Sequence, residues 1–223
     1  EGGYRHPVPL QDAQQAIRRA RQDADRYGYS RDRVGVMGFS AGGHLAASAM
    51  THYDAETRPD FGILCYPVIQ FGEKATHLGS QHNLIGKDAD AETVKSLSCE
   101  KQVTKDTPQA FIWACATDQL VPSANAESFH AALRAPGVPS ELHIFRQGWH
   151  GGGLCFDPTE GLPRAVWTVR RRDAAVGRLA HRLSRRGRRR QPRQNRLGAG
   201  GHDAPCEVSM VYEGGGVMNK FGI

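Results

Sequence analysis

Three residue types that together can form an acyl-transfer centre occur in the chain order serine, aspartate, histidine: Ser40, Asp118 and His150. Ser40 stands in Gly38-Phe39-Ser40-Ala41-Gly42, after the strand-like run Arg33-Val34-Gly35-Val36-Met37 and before an alanine-rich helical stretch. A serine between two glycines at a strand-to-helix turn is held in a tight, strained backbone that pushes its hydroxyl outward. Side chains at Gly38 and Gly42 would collide with neighbouring backbone there. The turn also aims the first amides of the helix, beginning with Ala41, at an oxyanion formed on an attacked carbonyl. A free serine hydroxyl is a weak nucleophile at neutral pH, so it requires a base, and the base requires an orienting group.

His150 is the candidate base. It lies in Gln147-Gly148-Trp149-His150-Gly151 after the strand-like run 141–145, on a glycine-bounded loop able to swing an imidazole over the serine. Its work would be to take the Ser40 proton, return it to the leaving group, and then activate water. His130 and His143 fall within a helix and a strand, and His44 reads as facing outward from the helix after Ser40, in a packing or supporting role. Asp118 is the candidate orienter, placed after the strand-like run 111–116 and before Leu120-Val121-Pro122. Asp54, Asp60 and Asp106 compete, but each comes from the wrong side of a strand. An aspartate after a strand also serves as a helix cap, and it is order and spacing relative to Ser40 and His150 that favour Asp118.

Elements that could position these residues follow from periodicity. Leu10 to Tyr27 places Ala13, Ala16, Ile17, Ala20, Ala24 and Tyr27 at helical spacing on one face, and Gly28 stands where a helix would end. Strand-like runs at 34–38, 61–66, 110–116 and 141–145 alternate with helical patterns at 42–49 and 123–135. That alternation predicts an α/β fold: a mostly parallel sheet with helices on both faces. Residues 67–107 read as a long polar segment with one short helical candidate at 91–97, either a cap over the site or a surface excursion.

The 223 residues suffice for one well-buried domain. Charge divides them: residues 1–163 carry 15 Lys and Arg against 19 Asp and Glu, whereas residues 164–223 carry 14 against 4. We therefore read 1–163 as the catalytic core and 164–223 as an irregular Arg/Gly-rich tail with at most one closing helix. The run Arg185-Arg186-Gly187-Arg188-Arg189-Arg190 would attract phosphates, but it has no interleaved aromatics for base stacking. Specific nucleic-acid binding is not expected. No apolar run of membrane-spanning length and no secretory leader is visible, so a soluble, cytoplasmic protein is expected. The five cysteines (Cys65, Cys99, Cys115, Cys155, Cys206) form no C-x-x-C pair and read as reduced, buried thiols rather than a metal site.

On these residues the chain resembles the α/β-hydrolase superfamily, in its acetyl-xylan-esterase-like and lipase/esterase branch. The matching stretches are Pro9 to Ala13, Arg33 to Ala46, Arg58 to Phe61 with Tyr66 to Ile69, Thr107 to Phe111, Asp118 to Pro122, Ala135 to His143, and Gly148 to Leu154. The resemblance implies a serine esterase that removes short acyl groups, often acetyl, from carbohydrate or other alcohols, with no metal or organic cofactor. It assigns Ser40 as nucleophile, Asp118 as acid and His150 as base, with a small-molecule or saccharide ester as substrate. An amide or formamide hydrolase on the same triad is the alternative. Members of the branch begin with further strands and a His-Gly-Gly-Gly oxyanion loop that are not found here. We therefore expect an N-terminally truncated, catalytically impaired fragment, with unpaired edges on the strands beside the nucleophile strand and residues 155–223 out of frame.

Overall fold

The computed structural model describes residues 4–153 and the strand Val208–Met210. Four parallel strands follow the expected runs: β1 Gly35–Phe39, β2 Phe61–Cys65, β3 Gln109–Cys115 and β4 Ser140–Phe145. A fifth, β5 Val208–Met210, pairs parallel with β1, giving the order β4-β3-β2-β1-β5. The edge of β1 away from β2 is thus paired from Gly35 to Met37, so β1 is not an edge strand. The strand arises from a short apolar run, Val208 to Tyr212, embedded in glycine-dominated sequence where a period of two has little length to register. The rest of the 164–223 tail, with its expected closing helix, lies outside the described residues.

Alternation along the strands splits the core in two. On one face Val36, Leu64, Ile112 and Ala114 pack with Leu10, Ile17, Ala46, Met50, Phe129 and Leu133 of the helices α1 (Val8–Tyr27), α2 (Ser40–Thr51) and α5 (Ala124–Arg134). On the other face Met37, Phe61, Ile63, Cys65, Phe111, Trp113 and Cys115 form a second buried cluster. Strands buried on both faces are what a parallel sheet requires. α1 ends where Gly28 takes φ +76° and its N–H bonds the Ala24 carbonyl at 2.9 Å. Tyr27, assigned above to the apolar face, stands on the last turn of α1 and is exposed.

Residues 67–107 are more ordered than the polar sequence suggests. They hold α3 (Leu78–Ile85), α4 (Ala91–Ser96) and a 3₁₀ turn at Cys99–Gln102. A third cluster of Val68, Phe71, Leu97 and Val121 anchors the segment. α3 leaves little periodic signal in the sequence because none of its residues is fully buried, and only Leu84 and Ile85 near its end pack, partly buried, against that cluster. Among the described residues no helix is long and apolar enough to cross a membrane.

Candidate active site

Parallel register brings the C-terminal ends of all four main strands to one edge. Phe39, Cys65, Trp113 and His143 lie level across β1, β2, β3 and β4. Ser40 and Tyr66 follow immediately on β1 and β2, Asp118 follows the end of β3, and His150 follows the end of β4. β4 is three strand spacings from β1, about 14 Å. The loop from 146 to 150 must therefore run back over β3 and β2 to reach Ser40.

Ser40 has φ +53°, in the left-handed region. A residue other than glycine is held there only when its surroundings fix it, and such positions concentrate at functional sites. The surroundings are visible: a Cβ at Gly38 would be driven into the Gly42 carbonyl, and one at Gly43 would come within 2.7 Å of Pro67 Cβ. Glycines thus let β1, α2 and the exit of β2 converge on the serine. As the first residue of α2, Ser40 is followed by the Ala41 amide in the first helical turn.

His150 meets both partners expected from sequence. Its Nε2 lies 2.6 Å from Ser40 Oγ and its Nδ1 lies 2.8 Å from Asp118 Oδ2. The Asp118 side chain is fully buried, and the imidazole is 15% exposed. Asp118 Oδ1 accepts the N–H groups of Leu120 and Val121 at 2.9 and 3.0 Å. Asp118 thus closes the turn before α5 with one oxygen and meets His150 with the other; it does not cap the helix, whose N-cap is Ser123. Two further bonds tie the histidine loop to β3: Thr117 Oγ1 donates to the Gly148 carbonyl at 2.7 Å and accepts the Gly148 N–H at 3.0 Å. Burial first, and the Asp118 charge second, push the neighbouring Cys115 thiol up to about 11, so it stays protonated at neutral pH.

The competitors fall elsewhere. Asp60 accepts the Val34 N–H at 2.7 Å at the opposite edge of the sheet, Asp54 closes a turn with Thr57, and Asp106 pairs with Lys105 on the surface. His130 Nδ1 meets Ser140 Oγ at 2.9 Å and His143 meets Glu141 at 2.6 Å. His44 does not face outward. It is buried, its Nε2–H donates to the Leu97 carbonyl at 2.8 Å, and its ring stacks on Phe71 at 4.4 Å. Burial holds its pKa down at about 4, so the ring is neutral. It fastens the helix that carries Ser40 to the 67–107 segment. Among the described residues no group of three or more His, Cys, Asp or Glu side chains is placed to hold a metal ion.

Sequence reasoning passed over Asn125. Its Oδ1 accepts the N–H groups of Ile69 and Gln70, both at 2.9 Å, and its Nδ2 donates to the Ala75 and Pro122 carbonyls at 2.8 and 3.1 Å. An asparagine on the apolar stripe of α5, beside Ala126 and Phe129, is the signal that was available. Tyr66 was also passed over as a site residue. It follows β2 as Ser40 follows β1, and its φ of +38° is the other left-handed value found at a non-glycine among the described residues.

A parallel sheet with a serine at a strand-to-helix elbow and a histidine delivered from a later strand defines the α/β-hydrolase fold. The chain belongs to the BD-FAE family, whose model matches residues 3–133. It is 37% identical over 157 residues to endo-1,4-beta-xylanase B of Butyrivibrio fibrisolvens, a match covering 66% of this chain and 25% of that protein. It is also 37% identical over 151 residues to an acetylxylan esterase of Xylanibacter ruminicola, covering 66% of this chain and 32% of that protein. The chain thus spans about a quarter to a third of these curated relatives. Among solved structures it resembles the acetyl ester-xyloside bifunctional hydrolase from Caldicellulosiruptor lactoaceticus, with a TM-score of 0.70 and 39% identity over 78% of this chain and 68% of that one.

Proposed function

We propose that this chain is a serine ester hydrolase that removes short acyl groups, acetyl above all, from esterified carbohydrate. The observation that carries the reading is the single imidazole of His150 within hydrogen-bond reach of both Ser40 Oγ and Asp118 Oδ2. Relatives named as an acetylxylan esterase and an acetyl ester-xyloside hydrolase support the substrate class.

In the proposed cycle Ser40 Oγ attacks the ester carbonyl carbon while His150 Nε2 takes the hydroxyl proton. The carbonyl oxygen becomes an oxyanion facing the Ala41 amide at the start of α2. Collapse breaks the bond to the alcohol oxygen, which leaves with the proton from His150, and the acyl group stays on Ser40. Water then gives its proton to the same nitrogen and attacks the acyl carbon, releasing the acid and restoring the serine. Throughout, Asp118 holds Nδ1–H, which leaves Nε2 free to accept, and stabilises the imidazolium. Asp118 keeps this orientation because its other oxygen is tied to the turn at Leu120 and Val121.

The test is hydrolysis of p-nitrophenyl acetate and of acetylated xylo-oligosaccharides, with Ser40→Ala as control. The reading requires acetate release that disappears in the variant. Equal release by both chains overturns it, and preference for arylformamides over acetyl esters moves the chain to amide chemistry.

A further inference from the structure

The histidine loop crosses two strands between β4 and Ser40, and Thr117 holds it at the first crossing. The second crossing passes over the end of β2, where Tyr66 stands. The Tyr66 ring lies 4.9 Å from the His150 ring at an interplanar angle of 72°, and 5.0 Å from Trp113 at 80°. Its hydroxyl accepts the Gly153 N–H at 2.9 Å, and its own N–H donates to the Trp113 carbonyl at 2.6 Å. The residue is buried, 5% exposed, so the ring is a fixed surface rather than a mobile one.

We propose that Tyr66 is a positioning residue for His150, its ring setting the plane of the imidazole and its hydroxyl closing the loop behind it. The loop needs such support. Gly151 and Gly153 take φ +90° and +55°, conformations open to glycine at little steric cost but with a large loss of chain entropy on ordering. The imidazole must keep Nδ1 on Asp118 and Nε2 on Ser40 together, and a tilt about either bond breaks the other. A ring packed across the imidazole resists that tilt, and the bond from Gly153 fixes the backbone on the far side of His150. The left-handed backbone of Tyr66 is what turns its side chain up to the sheet edge directly after β2. Ser40 and Tyr66 thus use the same device on adjacent strands, one to present the nucleophile and one to hold its base.

The proposal rests on His150 being the base for Ser40. It is tested on the full chain with Tyr66→Phe, which keeps the ring and removes the bond to Gly153, and Tyr66→Leu, which removes both. Thermal melts are recorded for each. Three readouts are compared: the rate of fluorophosphonate labelling at Ser40, kcat and KM on p-nitrophenyl acetate, and the downfield proton resonance of His150 Nδ1–H, assigned by its loss in His150→Ala. Tyr66→Phe is expected to slow labelling and kcat about threefold to tenfold with KM unchanged. Tyr66→Leu is expected to slow them about a hundredfold and to broaden the proton resonance beyond detection. Unchanged labelling and an unchanged resonance in a folded Tyr66→Phe and Tyr66→Leu pair overturn the proposal, as does a loss confined to KM. If the leucine chain does not fold, the phenylalanine chain decides by the same criteria. If the unmodified chain neither labels nor hydrolyses esters, the esterase reading fails, and the resonance alone decides the placement of His150 by Tyr66.

Discussion

The backbone N–H of Val68 donates to the carbonyl of Ser40 at 3.0 Å. This bond ties the exit of β2 to the Ser40 turn, at the same point where Gly43 leaves room for Pro67. The elbow is therefore not an isolated turn of β1 and α2. It is completed by Tyr66, Pro67 and Val68, and its geometry depends on the 67–107 segment being in place.

Removal of the three groups proposed to react gives the first expectation. Ser40→Ala and His150→Ala should each lower kcat on p-nitrophenyl acetate by about 10⁶, and Asp118→Asn by about 10⁴, because the orienter alone is the least severe loss in comparable triads. Asp106→Asn should leave the rate unchanged, since Asp106 sits on the surface beside Lys105. A loss in Asp106→Asn equal to that in Asp118→Asn would place the orienter elsewhere.

The elbow gives the second. In Gly38→Ala the new methyl meets the Gly42 carbonyl, which is backbone and cannot rotate away. The strain should cost about 1–3 kcal/mol, read as a lower Tm, and fluorophosphonate labelling of Ser40 should be lost. A chain that melts and labels like the unmodified one would show that the elbow relaxes freely.

Asn125 gives the third. Asn125→Ala strips the acceptor from the buried N–H of Ile69 and the half-buried N–H of Gln70. The expected cost is about 3 kcal/mol in chemical denaturation, because the amides lose their acceptor without gaining water. A change below about 1 kcal/mol would mean that water reaches both amides.

The fourth concerns acid. Desolvation lowers the His44 pKa from 6.5 to about 4 in the folded chain. The ring faces the Leu97 carbonyl, the Ser48 hydroxyl and Phe71, with the charges of His52 and His6 adding to the depression. Between these two values the unfolded chain binds the extra proton, so stability falls as pH falls from about 6.5 to about 4, by about 3 kcal/mol in all. His44→Gln keeps a donor for Leu97 without titrating, and its stability should be flatter over that window. An equal slope in both chains, measured by denaturant midpoint against pH, would assign the acid sensitivity to other groups.

The sequence by itself determined strands β1 to β4, the elbow and the chain order of Ser40, Asp118 and His150. Those signals are local: β1 to β4 are apolar runs bounded by turn residues, and Gly38, Ser40 and Gly42 lie within a single turn. It also separated an acidic core from a basic tail, since charge is additive along the chain. Only the tertiary structure decided that His44 points inward to Leu97, that α3 exists without a buried stripe, and that β5 covers the edge of β1. It alone brought Tyr66 against His150 and Asn125 under Ile69. Each of those contacts joins residues far apart in sequence, and its partner is chosen by strand register and helix packing, which no local pattern of residue types records.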